Sequence, residues 1–505
     1  MLGTALELAG QSLSLSEVAA VAEGKLRPRL AEAARRRIEA SRAVVDRLLA
    51  EGRVVYGVNT GFGKLADIHI PAEDLETLQL NLVRSHASGL GPPLSVEETR
   101  AMMLLRANVL ALGFSGCRVE VVETLLRMMD AGLYPRIPEK GSVGASGDLA
   151  PLAHLALGMI GEGTCWYRGE WVPSADALDA AGIAPLRLAA KEGLALLNGT
   201  QAMGAVGGLA LYRAERVVAL ADVAGAMTLE ALRGTPVAFD ARIHDARPQP
   251  NQQLVARRLR DLVEGSEIRA SHLTNDPRVQ DAYSLRCMPQ VHGAVRSALA
   301  HARQAVETET GSATDNPLVF AGANEILSGG NFHGAPLAMA FDYSAIALTT
   351  LMSIAERRVD RLVNPDLNEG LPPFLSPHAG ISSGFMIAHI GVASLLNEAR
   401  VLAHPASVDS VPTSGGKEDH VSMGMTAALK LRQVTTNAEL VLAIELMAAA
   451  EGIEYRAPLR SSEPVERVRA LIRKYVPRVE ADRSLSADIE KLAAAIRNGA
   501  FDEFV

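Results

Sequence analysis

The chain has 505 residues, of which 48% are hydrophobic, 21% are charged and only 4% are aromatic. Few aromatic residues and a mostly apolar composition favour closely packed helices over β-sandwiches, whose strands prefer aromatic and β-branched side chains. The 50 Lys and Arg residues against 58 Asp and Glu residues give a net charge of −8, so there is no electrostatic reason to expect nucleic acid or an anionic membrane as a partner.

The cysteines bear on disulfide formation and metal binding. Three cysteines lie far apart and form no CxxC pair, which argues against a disulfide framework and a zinc site. No cluster of His, Cys and Asp has convincing ligand spacing, so we expect no metal.

The N-terminal residues contain no basic side chain before Lys25 and do not resemble a secretion signal. The uncharged run 194–212 includes Asn198 and Gln201, which favours a buried core helix over a membrane span. We therefore expect a cytoplasmic protein without a membrane partner.

Helix signals dominate along the chain. The first long helix is predicted over residues 29–49, and Ser95 with Glu98 forms a capping-box pattern before an apolar run that stops at Gly113. Helices that are apolar around most of their circumference must be buried among other helices. The sequence therefore predicts a mainly α fold with a central bundle of long helices, residues 191–505, after a mixed N-terminal domain, residues 1–190. The predicted long segments are 194–233, 335–363, 384–403 and 419–452.

A glycine-rich segment at residues 141–154, GSVGASGDLAPLAH, allows three interpretations. It fits a tight turn before a helix, with Asp148 at the N-cap position. A phosphate-binding loop is rejected because no Gly-Lys-Ser/Thr follows. The third interpretation is chemical: the Gly147 nitrogen attacks the Ala145 carbonyl carbon, and loss of the Ser146 hydroxyl leaves a methylene on the new ring. A helix beginning just beyond the triplet would increase the electrophilicity of that group.

Six short motifs are spread over about residues 50 to 425. They are YGVNTGFG at 56–63, GASGDLAPL at 144–152, LNGTQ at 197–201, QDAYSLR at 280–286, GGNFH at 329–333 and EDHVSM at 418–423. In this order they resemble the aromatic amino-acid ammonia-lyase and aminomutase family. The resemblance implies a fumarase/aspartase-like helical bundle and a homotetramer whose active sites are built from several chains. It also implies a 4-methylidene-imidazol-5-one electrophile formed autocatalytically from Ala145, Ser146 and Gly147, without a diffusible cofactor.

The resemblance assigns Tyr56 as the base that removes a β-proton from the substrate. A free phenol has a pKa of about 10, so the site would have to favour the phenolate. A tyrosine packed over a glycine-rich turn is the structural alternative. Tyr283 and Asn198 would lie beside the electrophile and orient it and the substrate. For Asn198, a purely structural role in a buried helix remains open.

Arg286 is expected to bind the substrate carboxylate. Gln280, Tyr283 and Arg286 follow one another at spacings of three, which would place them along one side of a helix. A planar guanidinium suits two parallel hydrogen bonds to a carboxylate, although an arginine in an interfacial ion pair is a common alternative. Gln280 is included among the substrate-binding residues. Phe332 is expected to pack near the ring or the substrate, with a core phenylalanine as the alternative.

Substrate choice depends mainly on Ser85-His86 and Glu418. Within the family, a Ser-His pair after the run NLVR resembles members specific for histidine, whereas apolar pairs suit phenylalanine and His-Leu-like pairs suit tyrosine. His86 and Glu418 could pair with the donor and acceptor of an imidazole, unless Glu418 pairs with His420 instead. One departure is Lys417, because histidine-specific members commonly have Asn-Gln before this glutamate. A cation here could change the pKa or the orientation of Glu418.

The expected activity is non-oxidative elimination of ammonia from L-histidine to give trans-urocanate. Three alternatives stay open: a phenylalanine or tyrosine ammonia-lyase, an aminomutase, and a non-catalytic helical scaffold. Ser85-His86 counts against the first, and product analysis separates a lyase from an aminomutase. A mass deficit of two waters per chain would count against the scaffold.

Overall fold

The computed structural model describes residues 4–61, 67–274, 276 and 278–505. Phe62 and Gly63, the last residues of the first motif, lie outside the described residues. The described part of the chain contains nineteen α-helices and nine short strands. The predicted mainly α fold is confirmed.

The first nine helices are interspersed along the chain with short strands. Their bounds are α1 Leu15–Ala22, α2 Glu32–Ala50, α3 Leu75–His86, α4 Val96–Ala111, α5 Val119–Ala131, α6 Leu149–Met159, α7 Ser174–Ala180, α8 Glu192–Leu197 and α9 Gln201–Ala231. The later helices include three of 23 to 31 residues. Their bounds are α10 Ala241–Asp245, α11 Pro250–Val263, α12 Glu267–Ala270, α13 Tyr283–Arg286, α14 Met288–Thr310, α15 Ala335–Val363, α16 Met386–Leu402, α17 Gly424–Glu454, α18 Glu463–Tyr475 and α19 Ser486–Arg497.

The strands form four small sheets. Strands β1 (Thr4–Leu8) and β2 (Leu26–Leu30) pair in parallel, while β3 (Leu90–Pro93) and β5 (Pro138–Lys140) pair antiparallel. Strands β4 (Tyr134–Pro135), β6 (Thr164–Tyr167) and β7 (Glu170–Pro173) form a three-stranded antiparallel sheet in that order. A hairpin joins β8 (Leu318–Phe320) to β9 (Glu325–Leu327).

The described contacts divide the chain into two compact units. The first contains residues 1–212, 302–342 and 405–429, and the second contains 213–301, 343–404 and 430–505. Helices α9, α14, α15 and α17 have residues in both units. The boundary near residue 190 concerns a division into two continuous halves and stays a prediction.

Local signals in the sequence account for several helix ends. The capping box before α4 is present, with Ser95 accepting from the Glu98 amide and Glu98 accepting from the Ser95 amide. The first long helix begins at Glu32, and the predicted start at residue 29 is wrong because Arg29 belongs to β2, which pairs with β1. The predicted segment 194–233 is two helices, since the chain turns between α8 and α9 at Gly199, where φ is +149°.

Helix α15 has the length and apolar composition that could cross a membrane. However, 61% of its most apolar window is buried within the fold, and core helices of water-soluble proteins have the same length and composition.

Candidate active site

The predicted Ala-Ser-Gly triplet lies in a loop directly before α6, so the expectation of a helix just beyond it is confirmed. Gly147 has a φ of +77°, a conformation that favours glycine. It forms a bridge with Gly199, and the Asp148 amide donates to the Gly199 carbonyl at 2.7 Å. A Cβ atom on Gly147 would overlap the Gly199 carbonyl oxygen. The turn between α8 and α9 therefore holds the end of the triplet, and only glycine fits there.

Asp148 occupies the N-cap position of α6, as the sequence predicts, but its carboxylate does not cap that helix. The carboxylate accepts from the Ser142 hydroxyl at 2.8 Å and from the Met203 amide at 2.7 Å. The Met203 amide belongs to the first turn of α9, where amides lack helical partners. Burial raises the pKa of Asp148 to about 6, although these hydrogen bonds oppose the rise. Asp148 thus ties the triplet loop to the start of α9.

A cavity of about 680 Å³ opens beside the triplet within the first unit. Six of the predicted catalytic and substrate-binding residues line it, as does Ser85: Tyr56, His86, Ser146, Asn198, Phe332 and Glu418. Helices α3, α6 and α8 pack against one another around this cavity. Ala145 and Gly147 flank the lining residue Ser146 in the chain. The structure therefore brings together most of the predicted site.

Glu418 is held at both carboxylate oxygens. Its Oε1 accepts from the Ser146 hydroxyl at 3.2 Å, and its Oε2 accepts from the Thr413 hydroxyl at 2.7 Å. The Thr413 amide also donates to the Glu418 carbonyl at 2.8 Å, which closes a tight turn containing Lys417. Lys417 lines the same cavity. His420 stacks against His333 with 5.7 Å between ring centroids, so the described contacts of Glu418 are with Ser146 and Thr413.

His86 lies at the end of α3, and its ring orientation is set locally. Its Nδ1 is 2.9 Å from the Leu82 carbonyl oxygen. A carbonyl only accepts hydrogen bonds, so Nδ1 carries the proton in the neutral ring and Nε2 is an acceptor. The Ser85 hydroxyl lies 3.1 Å from the same Nδ1. The cavity is therefore lined by an imidazole whose Nε2 suits a donor.

Asn198 follows the last residue of α8 and is only 4% exposed. Its Nδ2 donates to the Asn316 carbonyl at 3.2 Å, while its buried Oδ1 has no hydrogen-bond partner among the described residues. Asn316 was missed by the sequence analysis. It also accepts from the Gly329 amide at 2.6 Å and so connects Asn198 to the loop before Phe332. Its only signal in the sequence is that it forms a polar Asp-Asn pair with Asp315.

Three predicted substrate-binding or catalytic residues belong to the second unit and are not among those that line this cavity: Gln280, Tyr283 and Arg286. The Arg286 guanidinium lies over the Tyr283 ring, 4.4 Å from its centroid, and Tyr283 is 69% exposed. Only Tyr283 and Arg286 belong to α13. The expected helical row of all three is wrong at Gln280, because the helix begins after that residue.

Tyr56 is positioned by anchored neighbours in its loop. Val58 is buried in a core cluster with Val44 and Val45 of α2. The Asn59 side chain accepts from the Val55 amide at 2.8 Å and donates to the Arg53 carbonyl at 2.9 Å. Tyr56 itself is partly exposed and lines the cavity.

Comparison with known proteins places this site in a family. The family model for aromatic amino acid lyases matches residues 13–474, and the chain belongs to this family, whose members depend on a methylidene-imidazolone group. It is 54% identical to a histidine ammonia-lyase of Anaeromyxobacter sp. (strain K), over 98% of this chain and 99% of that protein.

Solved structures of similar proteins share the fold. The crystal structure of histidine ammonia-lyase from Trypanosoma cruzi superposes with a TM-score of 0.92 at 44% identity, covering 99% of this chain and 95% of the other. A tyrosine aminomutase from Streptomyces globisporus has a TM-score of 0.94 at 37% identity, covering 99% and 98%. The fold is thus shared by an ammonia-lyase and an aminomutase, so the fold alone does not determine the substrate or the product.

Proposed function

We propose that this chain eliminates ammonia from L-histidine without oxidation and yields trans-urocanate. The observation that carries the proposal is the single cavity in which Ser146 of the triplet meets Glu418, His86, Asn198 and Tyr56. The names of the similar proteins, histidine ammonia-lyases at 54% and 44% identity, support the same activity.

The triplet and its surroundings fit a self-made electrophile. Gly147 has no side chain to obstruct its nitrogen, and the buried Oδ1 of Asn198 in the cavity lacks a described partner. In the cyclisation, the Gly147 nitrogen bonds to the Ala145 carbonyl carbon, and the carbonyl oxygen leaves as water with the protons of the two amide nitrogens. The Ser146 hydroxyl and its α-proton leave as a second water, which creates the exocyclic methylene. Ala145, Ser146 and Gly147 would thus form the group.

The methylidene-imidazolone supplies an electrophile that makes the substrate's amino group a viable leaving group. Tyr56 takes the β-proton of histidine, and the electrons of that C–H bond form the new carbon–carbon double bond. The C–N bond breaks at the same stage of the reaction, and its electron pair leaves with ammonia. Because a proton must pass to the phenol oxygen, Tyr56 acts as the phenolate.

Selection for histidine follows from the polar groups that line the cavity. His86 offers Nε2 as an acceptor for an imidazole N–H, and Glu418 offers a carboxylate beside Ser146. A phenylalanine ring would leave Nε2 of His86 without a partner, and it would offer no donor to Oε1 of Glu418 once the Ser146 hydroxyl has left in the cyclisation, which penalises its binding. Phe332 supplies apolar surface in the same cavity.

The remaining predicted residues are not among those that line the cavity of the first unit. We propose a cytoplasmic homotetramer in which Gln280, Tyr283 and Arg286 of neighbouring chains complete each cavity. Arg286 would then bind the substrate carboxylate with two parallel hydrogen bonds, and Tyr283 would help to orient the substrate. Three exposed apolar side chains of α16, Ile387, Ile390 and Val401, support burial against another chain.

The test is product formation by purified protein offered L-histidine, L-tyrosine and L-phenylalanine separately. We expect urocanate and equimolar ammonia from histidine alone, and no product from the Ser146→Ala variant. Cinnamate or coumarate would overturn the substrate assignment, whereas a β-amino acid would identify an aminomutase. Full activity in Ser146→Ala would overturn the proposed electrophile.

A further inference from the structure

Arg106 of α4 is a completely buried cation next to the triplet loop. Its guanidinium donates to the carbonyl oxygen of Asn198 at 2.7 Å, to Gln201 Oε1 at 2.6 Å and to the carbonyl oxygen of Ala195. All three acceptors are neutral oxygens. Burial lowers the pKa of Arg106, while the charge of Asp315 opposes that effect. Removing a cation from water without a directly bonded carboxylate is costly, so a purely packing role is better served by an apolar side chain.

The acceptors of Arg106 belong to one turn, the segment from Ala195 to Gln201 that joins α8 to α9. The last carbonyls of a helix lack helical partners and carry partial negative charge. Arg106 satisfies two carbonyls at this end of α8 and also holds the first side chain of α9. On the far side, Gln201 Nε2 donates to the Thr314 hydroxyl at 2.8 Å. A single guanidinium therefore bonds three oxygens of this turn, in addition to the bonds that its side chains make to Asn316 and Thr314.

The same turn contacts the triplet through Gly199. The Asp148 amide donates to the Gly199 carbonyl, and Gly147 lies opposite Gly199 in the bridge. A Cβ atom on Gly199 would come within 2.6 Å of Arg106 Nη1. The backbone of Gly199 thus lies close both to the guanidinium and to Gly147.

We propose that Arg106 is a positioning residue for the self-processing of Ala145-Ser146-Gly147. It acts through Gly199, which it holds against Gly147, and thereby keeps the Gly147 nitrogen close to the Ala145 carbonyl carbon. Such ring closure depends steeply on the separation and alignment of the reacting atoms. This inference rests on the proposed function, because it concerns the formation of the electrophile. Arg106 does not line the cavity and has no direct role with the substrate.

The test measures the two-water mass deficit of folded, purified chains over time after synthesis. We expect Arg106→Gln to mature about 10–100-fold more slowly than the unaltered protein. Arg106→Lys keeps the charge but cannot reach all three acceptors, and we expect an intermediate rate. Arg100→Gln is the matched control: it lies on the same helix and also donates to a carbonyl, that of Ala22, but it does not contact the turn. We expect it to mature normally.

A second variant keeps the test informative if Arg106→Gln does not fold. Gln201→Met removes one acceptor of Arg106 and the link to Thr314, and we expect slower maturation with a smaller effect. A normal maturation rate in folded Arg106→Gln, or in Gln201→Met where Arg106→Gln does not fold, would overturn the role of Arg106. An unaltered protein without any mass deficit would instead overturn the proposed function itself, so the two failures are distinguishable.

Discussion

Thr413 controls which oxygen of Glu418 is free to act in the cavity. Its hydroxyl occupies Oε2, while Oε1 accepts from the Ser146 hydroxyl and becomes free once that hydroxyl leaves in the cyclisation. Thr413→Val keeps the shape of the side chain but removes this bond, and the carboxylate loses its fixed orientation. We expect kcat/KM for histidine to fall about tenfold, which corresponds to the loss of about 1.4 kcal/mol, close to the lower limit of about 1.5 kcal/mol for a hydrogen bond to a charged group. Steady-state kinetics measure the change.

The control for this variant is a threonine of the same unit outside the cavity. The hydroxyl of Thr308 bonds the Gln304 carbonyl within α14, and Thr308→Val is expected to have unchanged kinetics. Thr413→Ser retains a hydroxyl and is expected to recover most of the activity. Equal kinetics for Thr413→Val and the unaltered protein would show that the turn alone positions Glu418.

At the scale of single residues, the sequence predicts which residues form the site better than it predicts their hydrogen-bond partners. Ser146, Glu418 and His86 were predicted from motifs, and all three line one cavity. The pairing of Glu418 with Thr413, five residues earlier, has no signature in the sequence because it depends on a turn that contains two glycines. Arg106 was missed for a similar reason: an arginine within a helix is usually exposed, and its burial follows from tertiary packing.

At the scale of secondary-structure elements, Asp148 connects α6 to α9, and its carboxyl group has a raised pKa. Its pKa of about 6 in the native protein lies above the ordinary value of 3.8. Between these values the native state binds more protons than the unfolded state, so ionisation of Asp148 lowers stability as the pH rises through about 6. In Asp148→Asn this penalty is absent. From about pH 5 to pH 8 we expect the native protein to lose about 1.4 kcal/mol more stability than the variant.

This difference in the pH dependence of stability is measured by denaturant unfolding of the unaltered protein and of Asp148→Asn at pH 5 and pH 8. Both are unfolded at the same protein concentration. Ser142→Ala provides the matched comparison. It removes a hydrogen bond that lowers the pKa of Asp148, so its loss of stability is expected to extend to higher pH. If Asp148→Asn and the unaltered protein show the same dependence on pH, Asp148 has no raised pKa.

Long helices were predictable where they are apolar on all sides. The segment predicted at 335–363 matches α15, and two others match α16 and α17 within a few residues. Helix α14 was missed because its buried residues follow one face only, including Val295, Leu299 and Val306. The break between α8 and α9 was missed because the apolar composition is continuous there, and the turn depends on Gly199 and its buried neighbours.

At the scale of the whole molecule, the predicted site residues are divided between the two units of the chain. The cavity lies in the first unit, whereas Arg286 and Tyr283 belong to the second and do not line it. The motifs predict that all these residues belong to one site. A sequence identifies the residues of a site, but it does not show whether they come from the same chain or from different chains. Closed symmetric oligomers repeat the same contacts at every site. A homotetramer can therefore complete each cavity with residues from its neighbours.

Subunit mixing tests this arrangement directly. Ser146→Ala and Arg286→Ala are each expected to be inactive alone, the first without an electrophile and the second without the carboxylate-binding group. When equal amounts of the two chains are co-expressed with different affinity tags and purified by both, some sites combine an intact Ser146 with an intact Arg286 from a different chain. With random assembly we expect about a quarter of the activity of the unaltered protein. Separately purified and mixed tetramers that do not exchange chains are the control and should stay inactive. No recovery in the doubly tagged, folded tetramer would mean that Ser146 and Arg286 of a site belong to the same chain.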